Sequence, residues 1–145
     1  MKLFIMVGVP GSGKSTLAKN LAREHNAVIL STDAIFEAPL YENGGSEGAL
    51  PLYLWSRDCI KQAHLVNQSK CKVAMALKIN IIIDNTNLTK WERSPYIDLA
   101  ETYKYDVEVV EPATPWKDNA EECFKRTTHS APLETIKSML DRKEL

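Results

Sequence analysis

Residues 8–15 read Gly-Val-Pro-Gly-Ser-Gly-Lys-Ser, and no other stretch limits more tightly what this chain can fold into. The run fits G-x-x-x-x-G-K-S without a mismatch. Leu3 to Val7, just before it, is apolar and rich in strand formers, the pattern of a buried parallel strand. Thr16 to Glu24, just after it, reads as a helix with Leu17, Ala18, Leu21 and Ala22 on one side. A strand, a glycine-rich loop and a helix in that order form a nest of backbone N–H groups for phosphate oxygens. The helix N-terminus adds its positive end at the same point. Gly8, Pro10, Gly11, Ser12, Gly13, Lys14, Ser15 and Thr16 are therefore the nucleotide-binding candidates. Within this set Lys14 reaches the β- and γ-phosphates, and the Ser15 hydroxyl is a Mg²⁺ ligand.

The length of 145 residues suits one domain, so residues 1–145 are expected to form a single unit. Lysine and arginine number 18 against 19 aspartates and glutamates, which excludes a global basic field for gripping long nucleic acid. A nucleic-acid end needs only a local patch and stays compatible. Cys59, Cys71 and Cys123 lack metal-ligand spacing and read as free thiols in a reducing compartment. With no leader and no run long enough to span a bilayer, no membrane association is expected, and a cytoplasmic or nuclear location is.

Along the chain, Ala27 to Ser31 is a second short strand with Asp33 just past its end. Ligands of open α/β sheets bind outside the carboxyl ends of the strands, so Asp33 either faces the phosphate crevice or caps a helix. Residues 37–50 hold Pro39, Asn43, Gly44, Gly45, Ser46 and Gly48 and read as a long loop beside the crevice. Leu52 to Lys78 reads as a helix, with Tyr53, Trp55, Cys59, Ile60, Ala63, Val66, Met75 and Leu77 as its apolar set and a break near Asn67. Arg57, Lys61, Lys70, Lys72 and Lys78 give this helix a basic character, either a phosphate-attracting face or a solvated one. His64 on the same helix reads as a packing or hydrogen-bonding residue. Ile79 to Asp84 is the strongest strand, and an apolar strand ending in Asp places a carboxylate to hold Mg²⁺. Asn85, Thr86 and Asn87 follow, either as site groups or as an Asx-type turn. Thr89 opens a helix to Tyr103 with Glu92 completing a capping box, and Pro95 predicts a kink or a short first turn. Asp106 to Glu111 is a fourth strand. Asn119 to Thr127 and Pro132 to Lys143 are the last helices, the second with Leu133, Ile136, Met139 and Leu140 on one face.

Taken together, the phosphate loop, Ser31-Thr32-Asp33, the run from Ile81 to Leu88, Val110-Glu111-Pro112 with Trp116, and Lys125-Arg126 before a C-terminal helix resemble the polynucleotide kinase-like P-loop family. That family includes phage 5′-polynucleotide kinases and the kinase-like half of the myelin cyclic-nucleotide phosphodiesterase. It also includes small P-loop proteins named for binding a Nedd-type ubiquitin ligase. This chain is most similar to the last group, through Asp84-Asn85-Thr86-Asn87-Leu88, Trp91-Glu92, Pro95-Tyr96 and the Ala63 to Gln68 segment. The resemblance covers nearly the whole chain apart from residues 37–50. It implies that Asp33 is the general base for a 5′-hydroxyl and that Asp84 ends the metal-holding strand. It also implies a basic C-terminal lid in which Arg126 contacts the phosphates. Three departures stand out. Phe36 replaces an Arg that would contact a polynucleotide phosphate, Ala34 replaces a second acid, and the lid reads Lys-Arg-Thr-Thr-His-Ser.

The expected fold is α/β, a parallel P-loop sheet of about four strands with helices on both faces and a C-terminal helical lid. The expected activity is transfer of the γ-phosphate of ATP, or another NTP, with Mg²⁺, to a hydroxyl. The favoured acceptor is the 5′-OH of a nucleic-acid end. Lys14, Asp33 and Arg126 are the catalytic candidates, and Ser15 and Asp84 are the metal candidates. A small-molecule kinase, or a nucleotide-gated binding module with slow ATP or GTP hydrolysis, uses the same loop. A protein partner leaves no signature in the sequence.

Overall fold

The computed structural model describes residues 1–33, 57–127 and 131–145, and the side chains of residues 57–59 lie outside it. Ala34, Phe36, the loop at 37–50, Tyr53, Trp55 and His129 therefore fall outside the described residues. The strands are β1 (Lys2–Met6), β2 (Ala27–Leu30), β3 (Asn80–Ile83) and β4 (Asp106–Val110). The helices are α1 (Lys14–His25), α2 (Arg57–Ala76), α3 (Lys90–Tyr103), α4 (Ala120–Arg126) and α5 (Leu133–Arg142). The four strands pair in parallel in the order β2-β3-β1-β4. This is the expected α/β sheet.

Register explains why β1 is apolar at every position after Lys2. Leu3 lies between Ile81 and Val107, and Ile5 between Ile83 and Val109. Leu3, Ile5, Ile81 and Ile83 pack on one face against Cys71, Ala74 and Met75 of α2 and Tyr96 and Ala100 of α3. Phe4, Met6 and Ile82 point to the other face, where Leu17, Ala18, Leu21 and Ala22 of α1 meet them. A strand covered on both faces needs apolar side chains in both alternating sets. The outer strands do not, and Val28, Ile29, Val107 and Val109 are each more than a third exposed. A third cluster lies past the carboxyl ends of the strands, where Val9 and Leu88 meet Ala120 and Cys123 of α4 and Ile136 of α5. It places both C-terminal helices beside the phosphate loop.

Three local expectations need correction. The break near Asn67 does not occur, because its side chain turns inward, fully buried, and Nδ2 donates to the Tyr96 hydroxyl at 2.9 Å. Val66 and Leu77 of the expected apolar set are exposed, and so is His64. Pro95 lies inside α3 without cutting its first turn short. The carbonyl it leaves unbonded, that of Trp91, accepts from Ser94 Oγ at 2.7 Å. The capping box forms with a shift of one residue: Thr89 Oγ1 accepts from the Glu92 amide, and Glu92 Oε2 accepts from the Leu88 amide, both at 3.2 Å.

The C-terminal residues are tied to the sheet by charge. Lys117 Nζ bonds Glu111 at 2.5 Å and Asp118 at 2.9 Å, while Lys143 Nζ bonds Asp118 at 2.6 Å and Glu111. Burial pushes the Glu111 carboxyl up, but the bonds from Lys117 and Lys143 outweigh it and hold it below its ordinary value. Asp118 is held low chiefly by its bond from Lys143, then by that from Lys117. A depressed carboxyl stabilises the fold above its unfolded value, and that contribution is lost as pH falls through its folded value. Lys143→Met is therefore expected to destabilise the protein by about 1–2 kcal/mol near neutral pH. That is the lower part of the usual range, because the Asp118 side chain is 57% exposed. The gap narrows as pH drops below the ordinary values of 4.5 for Glu111 and 3.8 for Asp118. Urea unfolding of both proteins at neutral and acid pH reads this directly, and a gap independent of pH contradicts it.

Candidate active site

The loop between β1 and α1 bonds its carbonyls and its first amides to the protein and leaves only its last amides open. Gly8 N donates to Thr86 O at 3.0 Å, and Ser12 N to Val9 O at 3.2 Å. Gly11 and Gly13 have φ of +81° and +100°, where an L side chain is strained. At Gly11 a Cβ would also run into the Cys123 carbonyl. Gly13 then caps α1 without any side-chain hydrogen bond, and no acid lies in the first turn of α1. The starts of α3, α4 and α5 differ, and even α5, which also lacks a side-chain cap bond, has Glu134 in its first turn. α3 is capped by Thr89 with Glu92 in its first turn, and α4 by Asn119 with Glu121 and Glu122. Among the described residues the amides of Gly13, Lys14, Ser15 and Thr16 have no hydrogen-bond partner. Four donors at the positive end of a helix, with no acid competing, form an anion site.

The segment after β4 holds this loop from outside. Thr114 Oγ1 donates to Ser12 O at 2.7 Å, and Trp116 Nε1 donates to Gly11 O at 3.1 Å. Each bond turns a loop carbonyl away from the amide cluster. Pro112 packs against Gly8, 3.5 Å from where a Cβ would stand. The sequence gives no sign of Thr114 in this role, since about a hundred residues separate the partners. Trp116 enters there only through the family resemblance. Ser12 Oγ lies in the same loop, buried and without a partner.

Asp84 is the point where the predicted residues converge. Its Oδ1 is 3.1 Å from Lys14 Nζ, and its Oδ2 accepts from Ser15 Oγ at 3.2 Å. The Lys14 and Asp84 side chains are only about a tenth exposed, 10% and 11%. A hydroxyl and a carboxylate at one point are hard oxygen donors that suit Mg²⁺. Among the described residues no cluster of three His, Cys, Asp or Glu side chains is present.

Asp33 stands at the neighbouring strand mouth. Asp84 N donates to Leu30 O at 2.9 Å, and Asn85 Oδ1 accepts from Thr32 N at 2.9 Å and from Thr32 Oγ1 at 3.0 Å. The residue after Asp84 is thus bonded to the residue before Asp33. Capping belongs to Ser31 and not to Asp33. Residues 32 and 33 are already helical, and Ser31 Oγ accepts from Asp33 N at 3.2 Å. Asn87 divides from Asn85 in role: at φ 45° its Nδ2 donates to Met6 O at 2.8 Å, stapling β3 to β1.

Arg126 is not among the groups that meet at Asp84. It lies in the last turn of α4, with its guanidinium 3.8 Å from the centre of the Trp116 ring and Nε 3.6 Å from Glu122. The cation therefore rests on the side chain that holds Gly11. The basic residues of α2 do not share a face. At 100° per residue Lys70 points opposite to Lys61 and Lys72. Lys72 lines the groove between α2 and α3, and Lys70 lines the one beside β2. Cys71 and Cys123 are buried free thiols, and burial pushes Cys71 up to about 12, so neither offers a thiolate. No helix of the described residues is long and apolar enough to cross a membrane.

The chain is similar to known proteins. A family model described as an AAA domain matches residues 3–145. Human NEDD4-binding protein 2 is 41% identical over 141 residues, which cover 96% of this chain and 7% of that protein. The rat 2′,3′-cyclic-nucleotide 3′-phosphodiesterase is 27% identical over 94% of this chain and 30% of its own length. Among solved structures, a chain of the Pnkp1/Rnl/Hen1 RNA repair complex superposes with a TM-score of 0.70 at 25% identity, covering 97% of this chain and 43% of its own. The chain thus spans less than a third of the length of either curated relative. With the phosphate loop, the parallel sheet and this match across its length, the chain belongs to the P-loop kinase-like family whose model is described as an AAA domain.

Proposed function

We propose that this chain is an ATP- and Mg²⁺-dependent kinase that transfers the γ-phosphate to a hydroxyl, with the 5′-OH of a nucleic-acid end as acceptor. The observation that carries the reading is the convergence of Lys14 and Ser15 on Asp84, beside four unpartnered amides of α1. The likeness to a chain of an RNA repair complex supports the choice of acceptor. Phosphoryl transfer asks a protein mainly for positioning and for charge stabilisation. The amides of Gly13 to Thr16 and the Lys14 ammonium hold the β- and γ-phosphates. Ser15 and Asp84 are the residues that hold Mg²⁺, which when bound offsets charge between those phosphates. Asp33 accepts the proton of the acceptor hydroxyl as its oxygen bonds the γ-phosphorus, and the bond from that phosphorus to the bridging oxygen of the leaving ADP breaks. Arg126 moves from the Trp116 ring to the transferring group.

Lys14 has a double task in this scheme, since it also faces the sheltered Asp84 carboxylate. Lys14→Ala is expected to weaken ATP binding at least tenfold, read by calorimetry, because it removes the side-chain cation of the loop. Equal affinity and equal turnover in both proteins contradict the assignment. Asp84→Asn keeps the shape and a hydrogen-bond acceptor but loses the charge. It should raise the Mg²⁺ concentration needed for half-maximal turnover more than the ATP concentration, and an unchanged Mg²⁺ dependence reduces Asp84 to a turn residue.

Transfer itself is tested with γ-labelled ATP offered to 5′-OH RNA, 5′-OH DNA, small alcohols and water alone. The expected result is labelled nucleic acid above the rate of hydrolysis. Asp33→Asn should lower that transfer by at least ~10²-fold while ATP affinity stays within about threefold. Hydrolysis with no labelled acceptor, together with no effect of Asp33→Asn, points instead to a nucleotide-gated binding module.

A further inference from the structure

A buried polar cluster sits behind the mouths of β2 and β3, and the scheme above leaves it unused. It comprises Thr32, Asn85, Tyr96 and Asn67, from β2's end, β3's end, α3 and α2. Exposures are 8%, 6%, 1% and 0% in that order. Asn85 Oδ1 accepts from both the amide and the hydroxyl of Thr32, at 2.9 and 3.0 Å. Nearby the Tyr96 hydroxyl accepts from Asn67 Nδ2 at 2.9 Å. Two atoms of the cluster, Asn67 Oδ1 and Asn85 Nδ2, are buried without a hydrogen-bond partner among the described residues.

An apolar core of the same shape would stabilise the fold at least as well, because half-satisfied polar groups in the interior are costly. The cluster therefore needs a reason other than stability, and its position supplies one. The β2–β3 ladder ends at the pair Leu30 and Ile83, with Asp84 N on Leu30 O as its last backbone bond. Past that point Asn85 continues the connection through a side chain, gripping Thr32 by two donors. Ser31 Oγ holds the Asp33 amide locally, and a contact two residues away in sequence cannot set where Asp33 stands relative to β3. Asn85 can, because it is joined to Asp84 on one side and bonded to Thr32 on the other.

We propose that Asn85 is the positioning residue for Asp33, fixing the base against the Asp84 carboxylate through its two bonds from Thr32. The assignment rests on the kinase reading above and deepens it. Asn85 touches neither phosphate nor acceptor in this account. It acts through Thr32, and only on the step that uses Asp33. The polar core is thus a ruler between base and metal carboxylate.

The test is a double-mutant cycle on phosphoryl transfer, with Asn85→Ala and Asp33→Asn made singly and together. Displacing a reacting group by about 1 Å costs on the order of 10²-fold in rate. Asn85→Ala should thus lower kcat by about that factor with ATP affinity within about threefold. In the Asp33→Asn background the same change should alter kcat by less than about threefold, since no base remains to be misplaced. Its effect on thermal stability should be the same in both backgrounds, which separates positioning from folding. If Asn85→Ala does not fold, Thr32→Val, which removes one of the two bonds to Asn85 Oδ1, takes its place, with a loss of about tenfold that vanishes in the same way. Additive losses across the cycle overturn this assignment while leaving the kinase reading intact. A wild-type protein that labels no acceptor above hydrolysis overturns the kinase reading, and this assignment falls with it.

Discussion

The fold is arranged around four backbone amides that it does not itself satisfy. Among the described residues no partner meets the amides of Gly13, Lys14, Ser15 and Thr16, where α1 begins on a Gly13 cap with no side-chain cap bond and no acid in its first turn, at a helix end that carries partial positive charge. Open donors converge on one point only where the surroundings hold the chain in place. Here β1 does so by being central in the sheet and buried on both faces. Gly11 and Gly13 do so by reaching positive φ. Thr114 and Trp116 do so by taking the carbonyls of Ser12 and Gly11. The segment after β4 is therefore part of the phosphate loop in every sense but sequence position.

A second set of bonds holds the carboxyl ends of the strands in register. Asn87 staples β3 to β1, and Arg93, itself buried, donates to the carbonyls of Asn87, Leu88 and Glu144. A buried guanidinium satisfied by carbonyls fixes several backbone segments at once, since its donors form a rigid fork. One of those segments is the C-terminal residue pair after α5, which Lys143 also anchors through Glu111 and Asp118. The helices beside the loop are thereby linked to the same strand ends that carry Asp84 and Asn85. Arg126 is the exception: stacked on Trp116, it is held by contacts to exposed surface and can leave them at modest cost.

Much of this was legible in the sequence wherever the signal was local. The loop pattern, the flanking strand and helix, the apolar run ending at Asp84, and the Thr89 and Glu92 pair all lie within a few residues of what they determine. Asn67 looks like a break from sequence alone because its partner, Tyr96, is 29 residues away, and an inward asparagine suits a helix only once that hydroxyl is in place. Thr114 had no local signal at all, since its bond to Ser12 spans 102 positions. The basic residues of α2 looked like one face in a count of charges, and only helical phase separates Lys70 from Lys61 and Lys72. Asp33 as a cap was a fair local reading that Ser31, two residues earlier, displaced.

The central claim is that the amides at the start of α1 bind the phosphates of a nucleotide. Titration of ¹⁵N-labelled protein with ATP and Mg²⁺, followed by amide chemical shifts, tests it most directly. The account predicts that Gly13, Lys14, Ser15 and Thr16 shift most and saturate together, and that adenosine, which lacks phosphates, leaves them in place. Shifts confined to other regions, or equal shifts with adenosine, would contradict it.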